Sequence, residues 1–335
     1  MSLVVIDADV LGRERTGDET YVENLLRRLP AVADGEFRFA AITRRPDLVP
    51  PGVEPVELPA RLQELRMVWS VPRALRRLRP ALAHFQHALP LSLPAPAVVT
   101  VHDLSFERHA WAMPLKDRLT FKLVVPRAVR RAARVLAVSE RTKADLVDLY
   151  RIPAAKIAVT PHGVDPAFGP GPGSGSYVLF VGAIQRRKNP LAAADAAAKA
   201  GLPLVVAGPE RERGLARELR RRGADLRGYV AKEKLAELYR GAAALVLPSR
   251  YEGFGLPVLE AMACGTPVVA LPDPALREVA GDAALFAEEN RLGEAVEQAI
   301  ADRDRLSAAG LARAAGFSWD ETARLTIAAY REALR

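Results

Sequence analysis

The chain has 335 residues, 50% of them hydrophobic and 26% charged, enough for about two globular domains and too large for a disulfide-stapled module. A single cysteine, Cys264, leaves no intrachain disulfide, and no Cys/His set has zinc-ligand spacing, so a reducing, cytoplasmic setting is expected. The formal charge is +8 and only 8 of the 48 basic residues are lysine; such an arginine excess either points to phosphate-bearing partners or reflects biased codon usage alone.

The opening stretch MSLVVIDADVLG carries Asp7 and Asp9 where a secretory signal needs a basic start and a longer apolar run, so it reads as a first strand. No segment approaches the roughly 18 uncharged apolar residues of a membrane span. Short β-branched runs then alternate with stretches of helical period: LVVID and a helix over 20–29, FRFAAIT and a helix over 62–78, ALAHF, AVVTV and a helix over 115–133, then VLAV. That order predicts a parallel sheet covered by helices. Residues 165–176, DPAFGPGPGSGS, hold too much Gly, Pro and Ser for a helix and read as an exposed linker. A second series follows in YVLFVGA, LPLVVAG, ALVLPS and TPVVALP, with helices starting near Pro190, Glu210, Lys232, Pro257 and Pro274. The chain closes on FSWDETARLTIAAYREALR, a helix with Ser318 as N-cap and Glu321 as its capping-box partner. The fold class is α/β, with two Rossmann-like parallel-sheet domains, 1–168 and 177–317. A cleft facing the carboxyl ends of their strands is the expected ligand site.

The most informative stretch is LVLPSRYEGFGLPVLEAMACGTPVVA. A strand enters a loop holding Gly253 and Gly255, and Pro257 falls at about the first position of a helix, where its missing N–H costs nothing. Glycines admit a phosphate to the backbone, and the free N–H groups of the helix start attract it. Glu252 precedes that position and Glu260 lies about one turn into the helix. Carboxylates beside a diphosphate repel it unless they accept hydrogen bonds from hydroxyls, which a ribose diol on one side and a sugar on the other supply. A nucleotide-sugar fits this arrangement; the plainer alternative is a pair of solvated acids at a helix start.

In VGAIQRRKNP, which leaves the first strand of the second series, Arg186, Arg187 and Lys188 either decorate a loop or clamp a phosphate. As a clamp they neutralise charge growing on a leaving diphosphate. In VVTVHDLSFERHAW, His102 and Asp103 follow a strand directly, a place suited to orienting a hydroxyl or moving a proton, although a lone histidine is equally often structural. The loop from Gly12 to Gly17 lacks the Lys-Ser/Thr ending of a Walker sequence. The Asp7-Ala8-Asp9 triplet lies on the first strand, and no metal is assigned to it.

Together with TGDETYVENLLRRL, TVHDLSFERH, VLAVSERTKADLVDLYRIPAAKIAVTPHGVDPAF and YVLFVGAIQRRKNP, the EGFGLPVLEAMACGTPVVA stretch resembles the retaining glycosyltransferases of family 4, which have the two-domain GT-B fold. Two glutamates separated by seven residues, Glu252 and Glu260, are the most specific element of the likeness. The resemblance implies that Glu260 holds the ribose and that Glu252 contacts the transferred sugar. It places the amides of Phe254, Gly255 and Leu256 on sugar and phosphate, with Gly253 and Gly182 among the donor contacts. Arg187 and Lys188 match a basic pair on the diphosphate, the backbone near Val230 meets the base, and His102, with Asp103 beside it on the acceptor side, lies near the reacting sugar. Gly17 matches a glycine loop that approaches donor and acceptor, but here it is followed by Asp18 and Glu19, where related proteins often carry a second glycine. The family also implies an interdomain hinge at GVDPAF and a final helix, 318–335, that crosses back to the first domain.

The expected activity is transfer of a hexose, mannose or glucose, from GDP-mannose or a UDP-hexose to a sugar or lipid-linked hydroxyl in cell-surface polysaccharide or glycolipid synthesis. Retention is implied by the family alone, no metal or other cofactor is expected, and closure about the linker is expected to exclude water. A nucleotide-sugar 2-epimerase and a non-catalytic nucleotide-sugar binding protein are the alternatives. A nicotinamide dehydrogenase is disfavoured because neither sheet opens on G-x-G-x-x-G, and nucleic acid is not an expected partner. The segment RLQELRMVWSVPRALRRLRP, residues 61–80, carries six arginines against one glutamate around Leu, Met, Val and Trp69. It reads either as a contact for an anionic membrane leaflet at the inner face of the membrane or as a solvated helix whose apolar side packs on the sheet.

Overall fold

The computed structural model describes every residue except 14–15, 59–64, 110 and 112–114. The chain forms two compact units: Met1–Arg108 with Met113–Gly163 and Trp319–Arg335, and His109–Ala112 with Val164–Ser318.

The first unit is built on seven strands, β1 (Ser2–Asp7), β2 (Phe37–Thr43), β3 (Val53–Glu57), β4 (Leu82–Gln86), β5 (Ala97–Val101), β6 (Arg134–Ala137) and β7 (Ile157–Val159). They lie in the order β3-β2-β1-β4-β5-β6-β7 and every pairing is parallel. Central β1 has Val4 opposite Phe39 on one side and Leu82 on the other, and Val4, Val5 and Ile6 are wholly buried. A sheet covered on both faces selects such uninterrupted apolar runs. On one flank Leu3, Val5, Ile42, Leu75 and Phe85 pack together; on the other Val99, Val101, Val129, Leu146 and Ile157 do so.

The C-terminal helix Trp319–Ala333 belongs to this unit and packs against the helix Thr16–Val32. Trp319, Thr322, Ala323, Thr326, Ile327 and Tyr330 are its buried face, spaced by three and four residues as a helix requires. The Tyr330 hydroxyl reaches His84 Nδ1 at 2.7 Å, His84 Nε2 meets the Thr100 hydroxyl at 2.7 Å, and that hydroxyl meets Tyr21 at 3.0 Å. This buried chain joins helix to sheet with its polar atoms satisfied, as burial demands.

The second unit has six strands, β8 (Tyr177–Val181), β9 (Leu204–Ala207), β10 (Asp225–Leu226), β11 (Ala242–Leu247), β12 (Val268–Ala270) and β13 (Leu285–Phe286), all parallel and ordered β10-β9-β8-β11-β12-β13. Apart from the extra β7 of the first sheet, the two orders are the same permutation. Each reverses direction once, between β1 and β4 and between β8 and β11, and ligands of such sheets bind beyond the carboxyl ends of the strands at that reversal. The helices of this unit start with specific chemistry: Pro190 follows Asn189 in a left-handed conformation, and the Asp273 carboxylate accepts from the amides of Ala275 and Leu276. Within 165–176, most residues between Pro170 and Ser174 are exposed, but the glycines answer a steric demand and not only one for flexibility. A Cβ on Gly173 would sit 1.8 Å from the Arg240 carbonyl oxygen, and one on Gly171 would sit 2.7 Å from Arg240 Cδ.

Candidate functional site

The reversal of the second sheet brings two loops together. Gly182 ends β8 at φ +149°, a value open to glycine, and the carbonyl of Gly182 lies where a Cβ on neighbouring Gly208 would have to go, 2.1 Å away. The turn that follows is a short 3-10 helix, Arg186–Lys188. Strand β11 ends opposite it and leads into Pro248–Gly255, and the Arg250 amide donates to the Arg187 carbonyl at 3.0 Å, tying the loops to each other.

Their side chains divide the basic cluster. Arg186 is 72% exposed and pairs with Glu212, so it turns away from the sheet end. Arg187 and Lys188 are only 12% and 14% exposed. Lys188 Nζ donates to Glu252 Oε1 at 2.5 Å, Arg187 Nη1 donates to the Tyr251 carbonyl at 2.5 Å, and Arg187 stands 3.9 Å from Glu252 Oε2. Burial opposes ionisation of Glu252, but Lys188 and Arg187 outweigh it and hold the carboxyl below its ordinary range. The result is a buried carboxylate with two fixed cations.

After Glu252 the loop is shaped by glycine. Gly255 has φ +108°, and a Cβ there would lie 2.5 Å from Leu276 Cδ2. It caps the helix Leu256–Ala263, whose second position is Pro257 and whose Val258 and Leu259 amides turn back to the Gly255 carbonyl at 2.9 and 3.3 Å, so that the positive end of the helix dipole stands at the end of the loop. Phe254 is buried against Phe317, with ring centroids 6.1 Å apart. Glu260, one turn along, is also buried and accepts a hydrogen bond from the Tyr239 hydroxyl at 2.8 Å. Burial pushes its pKa up to about 7 despite that bond. Tyr239 is held in turn by Thr266, which donates to the Tyr239 carbonyl at 2.6 Å. Neither residue stood out in the sequence: Tyr239 lies in the preceding helix, Lys232–Gly241, and is brought to Glu260 by the fold, while Thr266 lies just past Glu260 and acts on it only through Tyr239. Val230 follows β10 and is half-buried.

In the first unit, His102 follows β5 and donates from Nε2 to Gln86 Oε1 at 3.0 Å. Burial lowers its pKa to about 4, so at neutral pH it is a neutral imidazole that can accept a hydrogen bond but carries no charge. The neighbouring Asp103 takes the Ser105 amide at 2.9 Å and the Ser105 hydroxyl at 2.8 Å, work suited to starting the short helix Ser105–Arg108. Gly17 lies in the first turn of the helix Thr16–Val32 with an ordinary φ, and a Cβ on it would meet nothing within 4 Å. Asp7 and Asp9 are engaged by arginines, Asp7 by Arg66 and Asp9 by Arg13 and Arg44. Among the described residues one group has the donor set for a metal ion: Asp18, His87 and His102, whose ligand atoms all lie within 4.8 Å of one another.

Of the basic segment, residues 61–64 lie outside the described residues. Val71, Pro72, Ala74 and Leu75 pack inward as an amphipathic helix requires, while Leu65, Val68 and Trp69 are exposed, Trp69 at 68%. Arg66, one of the six arginines, is wholly buried on Asp7. Among the described residues no helix is long and apolar enough to cross a membrane.

Comparison with known proteins agrees with this geometry. Residues 165–313 match the family described as Glycosyl transferases group 1, and residues 15–168 match Glycosyltransferase Family 4. The chain is 32% identical over 267 residues to O-antigen chain mannosyltransferase B of Escherichia coli, a match covering 70% of each chain. Among solved structures, sucrose-phosphate synthase of Thermosynechococcus elongatus superposes with a TM-score of 0.79 at 21% identity, covering 99% of this chain and 98% of that one. Anabaena HepE in complex with UDP-glucose does so at 0.74 and 16%, covering 98% of each.

Proposed function

We propose, for a chain that belongs to glycosyltransferase family 4 and is a glycosyltransferase of the GT-B fold, that it moves a hexose from a nucleotide diphosphate sugar to a glycan or lipid-linked hydroxyl with retention at the anomeric carbon. The observation that carries the reading is the buried Glu252 carboxylate held by the largely buried Lys188 and Arg187, beside the glycine-capped start of the Leu256–Ala263 helix at the reversal point of the second sheet.

In this reading the diphosphate lies against the helix start and the two cations. As the bond from the anomeric carbon to the diphosphate oxygen breaks, negative charge grows on the leaving group, and Arg187 and Lys188 neutralise it without reorganising. Glu252 holds both cations in place beforehand and, being ionised, accepts hydrogen bonds from sugar hydroxyls. Glu260 accepts from the ribose diol, Phe254, Gly255 and Leu256 present amides, Gly182 and Val230 line the nucleotide, and Gly253 admits the phosphate. The family likeness assigns His102, neutral and fixed by Gln86, a hydrogen bond from a hydroxyl of the reacting sugar, and assigns Gly17 an approach to donor and acceptor. The chemistry needs no metal, because the positive charge comes from side chains. The acceptor oxygen bonds the anomeric carbon on the face the diphosphate leaves, its proton passing to the departing phosphate oxygen.

The donor sugar is mannose or glucose. The Escherichia coli mannosyltransferase supports mannose and an O-antigen-like polysaccharide, and the UDP-glucose-bound HepE supports a UDP-hexose. Exposed Leu65, Val68 and Trp69 beside Arg73, Arg76 and Arg77 support peripheral contact with an anionic leaflet, where a lipid-linked acceptor would lie.

The test is turnover of GDP-mannose and UDP-hexoses with a panel of acceptors. Loss of a Lys188 charge-assisted bond of about 3 kcal/mol predicts an activity about 100-fold lower in Lys188→Ala, and unchanged turnover of every accepted donor sinks the clamp. Isomerised sugar from donor alone would instead make the protein a 2-epimerase, and donor binding with no transfer to any acceptor would make it a binding protein.

A further inference from the structure

We propose that Asp18, His87 and His102 form a binding site for one divalent transition-metal ion of the zinc class, and that its occupancy withdraws His102 from glycosyl transfer. The second half rests on the role assigned above to His102; the first half does not.

The three residues come from three elements that converge at the reversal point of the first sheet. His87 follows β4, His102 follows β5, and Asp18 stands in the first turn of the helix Thr16–Val32. Their ligand atoms all lie within 4.8 Å of one another. Two imidazoles and one carboxylate are a borderline donor set that favours zinc, cobalt or iron(II) over magnesium or calcium, which take oxygen ligands. Tetrahedral bonds of about 2.1 Å put ligand atoms about 3.4 Å apart. Closing from 4.8 Å is a movement of about 1.4 Å between ligand atoms, and Asp18 and His87 are half-buried while His102 is buried.

Two independent features point to a ligand. His87 Nδ1 is buried without a hydrogen-bond partner, although most buried polar atoms find one. The His87 backbone is left-handed, φ +56°, an uncommon conformation for a side chain of this size, and it is held there by the His87 amide donating to the Thr100 carbonyl at 2.9 Å. That conformation sets the His87 ring 5.2 Å from the His102 ring. On the other side, Gln86 Oε1 accepts from His102 Nε2 at 3.0 Å and so leaves the Nδ1 lone pair of His102 for a ligand. Phe121 and Tyr21 wall the two rings, with centroids 6.0 Å from His87 and 4.9 Å from His102. An aromatic wall beside two imidazoles and one carboxylate suits a metal that keeps an open position for water.

The probe is Co2+, whose visible ligand-field absorption reports histidine coordination directly, with Zn2+ as competitor and Mg2+ as control. The expected result is one equivalent of Co2+ bound, displaced by Zn2+ and untouched by Mg2+. Affinity should fall by about 100-fold or more in His87→Asn, which keeps the left-handed backbone at little strain, and in Asp18→Asn. Zn2+ should raise the Tm of the parent protein and leave that of both variants where it is. No Co2+ spectrum in the parent protein, or equal affinity in the variants, overturns the site. Zn2+ should also stop transfer by the parent protein but not by His87→Asn. If the spectrum reports bound metal while transfer continues, the metal site stands and the role given to His102 falls.

Discussion

At the scale of single residues, Glu260 carries the clearest consequence. Its pKa of about 7 in the folded chain lies above the ordinary 4.5, so the empty fold favours the neutral acid. Its contribution to stability is complete below pH 4.5 and is lost as pH rises through 7. A ribose diol donates hydrogen bonds and so favours the carboxylate instead. Nucleotide binding should therefore strengthen with pH, by about tenfold between pH 6 and pH 8, and should release a proton at neutral pH. Titration calorimetry in buffers of different ionisation enthalpy measures both, and Glu260→Gln should flatten the profile. Gly17 offers a second separation. In the first turn of a helix, with open space around its Cβ position, Gly17→Ala should raise stability by up to about 1 kcal/mol. If a ligand occupies that space, the same variant loses transfer; unfolding and turnover measured on one preparation decide it. The glycine loop and its two glutamates were legible because one continuous stretch carries them, whereas Tyr239 comes to Glu260 from a separate helix and left no local pattern.

At the scale of elements, the segment 65–78 joins two roles that sequence alone could not separate. Six arginines among apolar residues looked like one basic amphipathic face. The structure turns Arg66 inward onto Asp7 and leaves Trp69 outside with Arg73 5.8 Å from its ring centre. Removing one member of a buried ion pair costs far more than an exposed side chain does. Arg66→Ala should lower the unfolding free energy by about 3 kcal/mol or more, read from urea denaturation. Trp69→Ser should change it by less than about 0.5 kcal/mol while reducing sedimentation with anionic vesicles. Equal vesicle binding by Trp69→Ser would detach this face from the membrane reading. The strands were unevenly legible for a related reason. Central strands announce themselves as apolar runs: β5 and β11 are buried throughout, and β1 is buried from Leu3 to Ile6. The unforeseen strands β3, β7, β10 and β13 are short, and β3, as VEPVE, exposes three of its five residues. An edge strand pairs on one side and buries less, so its composition carries less signal.

At the scale of the whole molecule, the charge excess and the two units make different demands. Many of the arginines form local pairs on exposed faces, such as Arg222 with Glu218, Arg305 with Asp302 and Arg324 with Glu321. Such pairs contribute at most about 1 kcal/mol each and serve solubility. Arg187 and Lys188 differ in being buried around one carboxylate, so the basic balance as a whole says little about the ligand and these two positions say much.

The division into two units has a thermodynamic consequence. A chain of two units need not unfold in a single transition, and a ligand stabilises only the unit that binds it. The contacts proposed for the nucleotide and diphosphate, Gly182, Arg187, Lys188, Val230, Gly255 and Glu260, all belong to the unit Val164–Ser318. UDP or GDP at about 100 times its Kd adds about 2.7 kcal/mol to that unit. Scanning calorimetry should then show one of two transitions moving upward with nucleotide while the other holds its temperature, and Lys188→Ala should abolish the movement without removing either transition. Were the nucleotide to move the transition that Arg66→Ala lowers, the donor would sit on the first sheet and the assignment of the second to the nucleotide would be wrong. Were both transitions to move together with nucleotide alone, the units would be coupled strongly enough that neither could be called the donor's own.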